Sequence, residues 1–196
     1  MAKRKRKHVD SIQRSNEQLD KELRKQVALI YSATAIALKR YWGWGKDRIQ
    51  ALMDMTSEVW HECAQTNLKS MPQMLEEETG IEVQNGDGQS WHDLGFLNVD
   101  VDVRWNRKTA RSQWIYMRKK QQKWVSPNVT ACLLLSLYRK CGFGAERCGR
   151  LVTQMIGVQN EFGRDPDRLK AACRLEAGIG IIDYMDSKEV DLNAQA

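Results

Sequence analysis

The stretch Leu38-Lys-Arg-Tyr-Trp-Gly-Trp-Gly-Lys-Asp-Arg-Ile-Gln-Ala-Leu52 returns 99 residues later as Leu137-Tyr-Arg-Lys-Cys-Gly-Phe-Gly-Ala-Glu-Arg-Cys-Gly-Arg-Leu151. Leu38/Leu137, Arg40/Arg139, Gly43/Gly142, Gly45/Gly144, Arg48/Arg147 and Leu52/Leu151 are identical at that spacing, and Trp44/Phe143 and Asp47/Glu146 are similar. Further on, Glu78-Thr-Gly-Ile81 matches Glu176-Ala-Gly-Ile179, with one residue lost from the spacing. Two matched blocks in the same order point to an internal duplication, and that reading decides the fold.

Each copy reads as three helices, in the order helix, Gly-aromatic-Gly turn, helix, helix. In the first copy Leu23, Val27, Ile30, Thr34, Leu38 and Tyr41 recur every three or four residues, the period of a helix with one apolar stripe. Gly43 is placed to end that helix, since glycine accepts the left-handed backbone of a helix C-terminus. A second helix is predicted from Lys46, with Ile49, Leu52, Met53, Val59, Trp60 and Cys63 turned inward. A third runs from Ser70, a capping hydroxyl ahead of Pro72, to Gly80. In the second copy Ser126-Pro127 and Asp165-Pro166 repeat the cap-then-proline signal for the first and third helices. A β-branched piece follows each copy, Ile81-Glu-Val83 and Ile179-Gly-Ile-Ile182, and is expected to form a short strand.

The fold class expected is therefore mainly α, with two three-helix copies at 17–83 and 126–182 and a short β piece after each. A basic flexible arm is expected at 1–16, a connector at 84–125 and a flexible tail at 183–196. Within the connector, Gln84–Ser90 is polar and Gly-rich, a loop composition. Leu97-Asn-Val-Asp-Val-Asp-Val-Arg-Trp105 alternates apolar and polar with strand period, and Asn106–Lys123 is basic and expected to be helical.

At 196 residues and 42% hydrophobic content the chain can bury a core and does not resemble a disordered one. No apolar run approaches the roughly 18 residues of a membrane span. Met1–Lys7 is basic without an apolar stretch behind it, so no secretory signal is expected. Five cysteines without an export signal suit reduced thiols and a cytoplasmic location. The net charge of +6 is unevenly spread. Lys3–Lys7 is wholly basic, and from Val103 to Ala145 there are ten Lys or Arg and no Asp or Glu. Such segregation suggests a surface facing a polyanion.

The duplication acts as an internal control on chemistry. Cys132, Cys141, Cys148 and Cys173 fall opposite Ala33, Trp42, Ile49 and Met74, and Cys63 falls opposite Phe162. Thiols with apolar counterparts read as small core residues, and no pair of closely spaced ligand pairs suggests zinc. His61 falls opposite Asn160, and adjacent helix positions splay His61, Glu62 and Cys63 apart. Glu76, Glu77 and Glu78 read as a solvated helix face. Asp100 and Asp102 share one face of the expected strand and read as solvated too. No catalytic residue, metal or cofactor is expected, and the chain is read as a non-enzyme. Arg40/Arg139, Asp47/Glu146, Arg48/Arg147 and Glu78/Glu176 are the polar positions that recur. Within each copy the expected bridges are Arg48 to Glu78 and Arg147 to Glu176.

Tyr41-Trp-Gly-Trp-Gly-Lys-Asp-Arg-Ile-Gln-Ala-Leu52 resembles a helix-hairpin-helix motif, in which a Gly-hydrophobic-Gly turn joins two helices. The resemblance covers about a dozen residues in each copy, a short helix–turn–helix unit. It implies that backbone amides at the turn and at the start of the second helix bind a nucleic-acid phosphate, largely without regard to sequence. Gly43, Gly45, Lys46, Gly142 and Gly144 occupy the matching positions, with Arg48 and Arg147 one turn further on. Ile49 and Cys148 stand where the family usually has a small residue, Trp42 is bulkier than usual, and the second copy has Ala145 in place of Lys46. As a whole the chain also looks like small phage and prophage proteins.

The connector interleaves Arg104, Arg107, Lys108, Arg111, Arg118, Lys119, Lys120 and Lys123 with Trp105, Trp114, Tyr116 and Trp124. Arginine suits bidentate phosphate contact and exposed aromatics stack on unpaired bases. Trp105 and Trp114 are read as core, and the cations as the surface that binds. The function expected is non-enzymatic binding of DNA or RNA, regulatory or replication-associated, in a phage or mobile element. The alternative is a protein-binding inhibitor or adaptor that turns the same cations toward a protein partner, for example a phage factor blocking a host nucleic-acid-processing or defence enzyme.

Overall fold

The computed structural model describes the backbone of residues 2–66, 70–84 and 125–181, and the side chains of 21, 23–63, 70–84 and 125–181 within them. The chain is mainly helical. In order, the helices are α1 (Ala2–Trp42), α2 (Lys46–Thr66), α3 (Met71–Thr79), α4 (125–141), α5 (Ala145–Glu161) and α6 (Pro166–Glu176). α1 starts at Ala2, so residues 2–16 of the expected flexible arm form the first turns of that helix. Among the described residues there is no strand: 81–84 and 179–180 form no ladder, and Ile181 is helical. Among the described residues the expected β pieces have no partner strand. The connector expectations, the strand at 97–105 and the basic helix at 106–123, lie outside the described residues, as does the tail.

The helix ends follow local chemistry. Ser70 caps α3, its Oγ accepting from the Gln73 amide at 3.4 Å, and Pro72 sits in the first turn where no amide partner is needed. Asp165 caps α6 through the amides of Asp167 and Arg168, followed by Pro166. Gly80 closes α3 at φ 72°, and its amide donates to the Glu76 carbonyl at 2.7 Å.

α1 and α4 are the central helices. Ser32–Leu38 is buried at every position, and so is Ala131–Leu137, 99 residues later. A helix that is apolar all round must be covered on all sides. Thr34, Thr56 and Ser136 enter the core by folding their hydroxyls back onto the carbonyls four residues earlier, at 2.8, 2.7 and 2.8 Å. Leu38, Ile49, Leu52 and Leu75 are buried, as are Leu137, Cys148, Leu151 and Leu169. Truncating any of the buried leucines to alanine would cost about 2–5 kcal/mol.

The helices do not pack in chain order. α1 rests against α5 and α6 and touches α2 only slightly. The Thr34 hydroxyl lies 3.5 Å from the Met155 sulfur of α5, and the Arg40 guanidinium reaches Glu161 of α5 and Glu176 of α6. α4 turns the other way: the Cys132 thiol donates to the Thr56 carbonyl of α2 at 3.3 Å, and Arg139 binds Glu78 of α3. Each first helix is thus lodged in the other half of the chain.

Candidate functional site

Two turns of the same geometry meet at one end of the helices. Gly43 takes φ 65° and Gly142 φ 68°, the left-handed region where a side chain is strained. That backbone reversal lets the Trp44 amide donate to the Leu38 carbonyl and the Phe143 amide to the Leu137 carbonyl, both at 3.1 Å. Each aromatic is thereby tucked under its own helix end, and both rings are 3% exposed. The first bond of the next helix runs from the Ile49 amide to the Gly45 carbonyl, and from Cys148 to Gly144, again 3.1 Å in each case. The amides that precede it in α2 and α5 have no partner inside the helix. At α5 the cap residue Gly144 has no side chain to satisfy them.

The turns are held together by their rings. Trp42 and Phe143 lie 4.8 Å apart at a tilt, and Trp44 meets Phe143 edge-on at 5.7 Å. The Trp42 indole N–H donates to Gln154 Oε1 at 2.8 Å, which ties the end of α1 to α5. Two guanidiniums lie on this cluster: Arg48 is 4.0 Å from the Trp44 ring centre and Arg150 is 5.4 Å from that of Trp42. Arg150 also faces Glu146, one turn earlier, at 3.9 Å.

Gly43, Gly45, Lys46, Arg48, Gly142, Gly144 and Arg147 are all exposed at this end, and the ring contacts bring the two sets side by side. Lys39, Tyr41, Tyr138 and Lys140, on the last turns of α1 and α4, are exposed beside them. Arg104, Arg107, Lys108, Arg111, Arg118, Lys119, Lys120 and Lys123 lie outside the described residues. Reasoning from the sequence missed Arg150 and Trp42. Ala51 stands opposite Arg150, so a search for recurring polar positions passes over it. The sequence does carry one signal, an i,i+4 spacing from Glu146 to Arg150 on α5.

The expected bridges are corrected. Glu78 binds Arg139, not Arg48, and Glu176 binds Arg40, not Arg147. Arg40 makes 2.7 Å bonds from Nε and from a terminal nitrogen to Glu176, and a further 2.6 Å bond to Glu161. The Arg40 hydrogen bond holds the Glu161 carboxyl below its ordinary range. Cys63, Cys132, Cys148 and Cys173 are buried and Cys141 is half-buried. Burial pushes the Cys148 thiol up to about 11, and Cys132 and Cys173 up to about 12. These are packing thiols, protonated at neutral pH and poor nucleophiles.

Among the described residues, no group of three or more His, Cys, Asp and Glu side chains is placed to hold a metal ion. None of the described helices is long and apolar enough to cross a membrane. A cleft of about 360 Å³ opens between Leu29 and Ile30 of α1, residues 81–84 and Val152, Met155 and Ile156 of α5; its walls are largely aliphatic. Comparison with protein-family models, with curated proteins and with solved structures returned no match.

Proposed function

We propose that this chain is a non-enzymatic nucleic-acid-binding protein that contacts backbone phosphates. It is read as two copies of one three-helix unit whose first helices are exchanged. The paired Gly-aromatic-Gly turns and the basic segment 104–123 would supply the contacts. One observation carries the reading. The Trp42–Phe143 contact at 4.8 Å sets two helix starts, rich in outward amides, beside each other among exposed lysines and arginines. A helix start attracts an anion through its unpaired N–H groups and its dipole, and two adjacent starts suit two phosphates of one ligand. Asp47 and Glu146, in the first turns of α2 and α5, oppose that attraction in part, which leaves the cations a large share of the affinity.

The test is a salt series of binding to duplex and single-stranded DNA and RNA. Counterion release predicts that log affinity falls linearly with log salt, by about 0.9 per duplex phosphate neutralised, from a dissociation constant of about 10⁻⁶ to 10⁻⁴ M. Gly45→Ala and Gly144→Ala probe the turns, because a Cβ at either position meets nothing within 4 Å and the fold is expected to persist. Weaker binding by these folded variants supports close approach of phosphate to the turn. Absence of binding at low salt overturns the reading and favours the protein-binding inhibitor.

A further inference from the structure

Resting on that reading, we propose that Arg48 and Arg150 form a pair of phosphate-gripping guanidiniums, fixed at the two ends of a three-ring cluster. The chain of contacts runs Arg48, Trp44, Phe143, Trp42, Arg150, with Trp44 edge-on to Phe143 and Trp42 tilted against it. The ligand is the phosphodiester backbone itself, engaged without base stacking.

Three observations lead there. First, Arg48 and Arg150 sit over ring faces, 4.0 and 5.4 Å from the ring centres, and a guanidinium held by a ring face rather than by a carboxylate can still offer its N–H fork to a phosphate. The ring also restrains a side chain that would otherwise lose rotamer freedom on binding, so the contact starts preorganised. Second, the rings are not available to bases. Trp44 and Phe143 are 3% exposed, and Trp42 has Arg150 on its ring and its N–H committed to Gln154. They serve as a scaffold that sets the positions of the cations. Third, the space around the turns is open: a Cβ built on Gly43, Gly45, Gly142 or Gly144 meets nothing within 4 Å.

Arg48 belongs to α2 and Arg150 to α5, so a ligand held by both spans the two turns. Glu146 competes with phosphate for Arg150, but its side chain is 89% exposed and its distance of 3.9 Å makes a weak pair.

The experiment uses the full chain and a fluorescein-labelled duplex, with the single strand of the same sequence as comparison, across a salt series. Arg48→Gln and Arg150→Gln should each weaken binding about tenfold and reduce the log–log slope by about 0.9. Arg48→Lys and Arg150→Lys should keep the slope yet lose affinity, because lysine keeps the charge but not the stacked fork. Trp42→Leu leaves the Arg150 charge in place, so it should match Arg150→Lys, keeping the slope yet losing affinity, and Trp42→Leu combined with Arg150→Gln should be no weaker than Arg150→Gln alone. Glu146→Gln should tighten binding. Circular dichroism and a urea midpoint establish that each variant is folded; if Trp42→Leu unfolds, the lysine variants carry the same test. If the parent binds with a steep slope and both Gln variants retain its affinity and slope, the clamp is wrong while the nucleic-acid reading stands. If the parent does not bind at low salt, both fall. Preference for the single strand over the duplex would overturn the backbone-only mode.

Discussion

Arg40, two residues before the end of α1, grips Glu176, the last residue of α6, through two 2.7 Å hydrogen bonds. Arg139 holds Glu78 at the end of α3 in the same forked way. The two forks stand at matching places, and each joins the first helix of one half to the third helix of the other. Arg40 adds Glu161 and lies 5.9 Å from the Phe162 ring, so it links α1 to both helices that cover it.

A double-mutant cycle of Arg40→Ala and Glu176→Gln should therefore give a coupling of about 1 kcal/mol, at the upper end for partly exposed pairs because the contact is bidentate. The cycle on Arg150 and Glu146 should give less, at 3.9 Å with both groups well exposed. Urea denaturation of the parent, the four single variants and the two double variants reads both. Equal couplings would mean the fork adds nothing to ordinary surface attraction.

α1 is covered chiefly by α5 and α6, and α4 is tied to Thr56 of α2 and Glu78 of α3, so each half takes part of its cover from the other. Residues 1–84 and 125–196 produced as separate chains should each be poorly structured alone. Mixed, they should regain helical content and co-elute as one to one. Gel filtration with circular dichroism checks this, and a half that folds by itself as a monomer would contradict the exchanged packing.

Ser32 is fully buried, and its Oγ has no hydrogen-bond partner among the described residues. Ala131 occupies the corresponding place in α4 and is buried equally well. Ser32→Ala removes an unsatisfied hydroxyl and opens no sizeable cavity, so it should stabilise the protein by about 1 kcal/mol. A rise in the thermal midpoint is the expected result. A loss would mean that the hydroxyl is satisfied.

The buried thiols predict instability in alkali. Their ordinary value is 9.0, and burial raises Cys148 to about 11 and Cys132 and Cys173 to about 12. Between those values the unfolded chain has released protons that the folded chain retains, so stability falls as pH rises from 9 toward 12. The contribution is complete below pH 9 and lost above the folded values. Tyr31, also raised chiefly by burial, acts in the same direction. Urea midpoints from pH 8 to 11 should drop, and Cys132→Ala with Cys173→Ala should flatten the drop after correction for their own cost. At pH 8 the native protein should react with a thiol reagent far more slowly than the unfolded one.

Most helix ends were legible in the sequence because caps and turns are local. Ser70 with Pro72, Asp165 with Pro166, and the glycines at 43, 80 and 142 each act within a few residues, so residue type and spacing suffice. The inward places of Ile49, Leu52 and four of the five cysteines followed from helical period and apolar counterparts. The β-branched pieces misled because Ile179 and Ile181 are buried as side chains against helices, which requires no strand. At the site, the turn glycines and Arg48 could be named, while Arg150 and Trp42 could not, since their meeting joins α5 to α1 across the chain.

What the amino-acid sequence determined by itself is the set of helices, their caps and the two glycine turns. What only the tertiary structure decided is which half each first helix belongs to. Leu38 and Leu137 are the same residue, as are Arg40 and Arg139, and Glu78 and Glu176 are alike at the far end. Either central helix therefore offers the same chemistry to either pair of covering helices. Local pairing rules cannot rank the two arrangements; the choice is visible only in the packing of entire helices, α1 against α5 and α6 and α4 tied to α2 and α3.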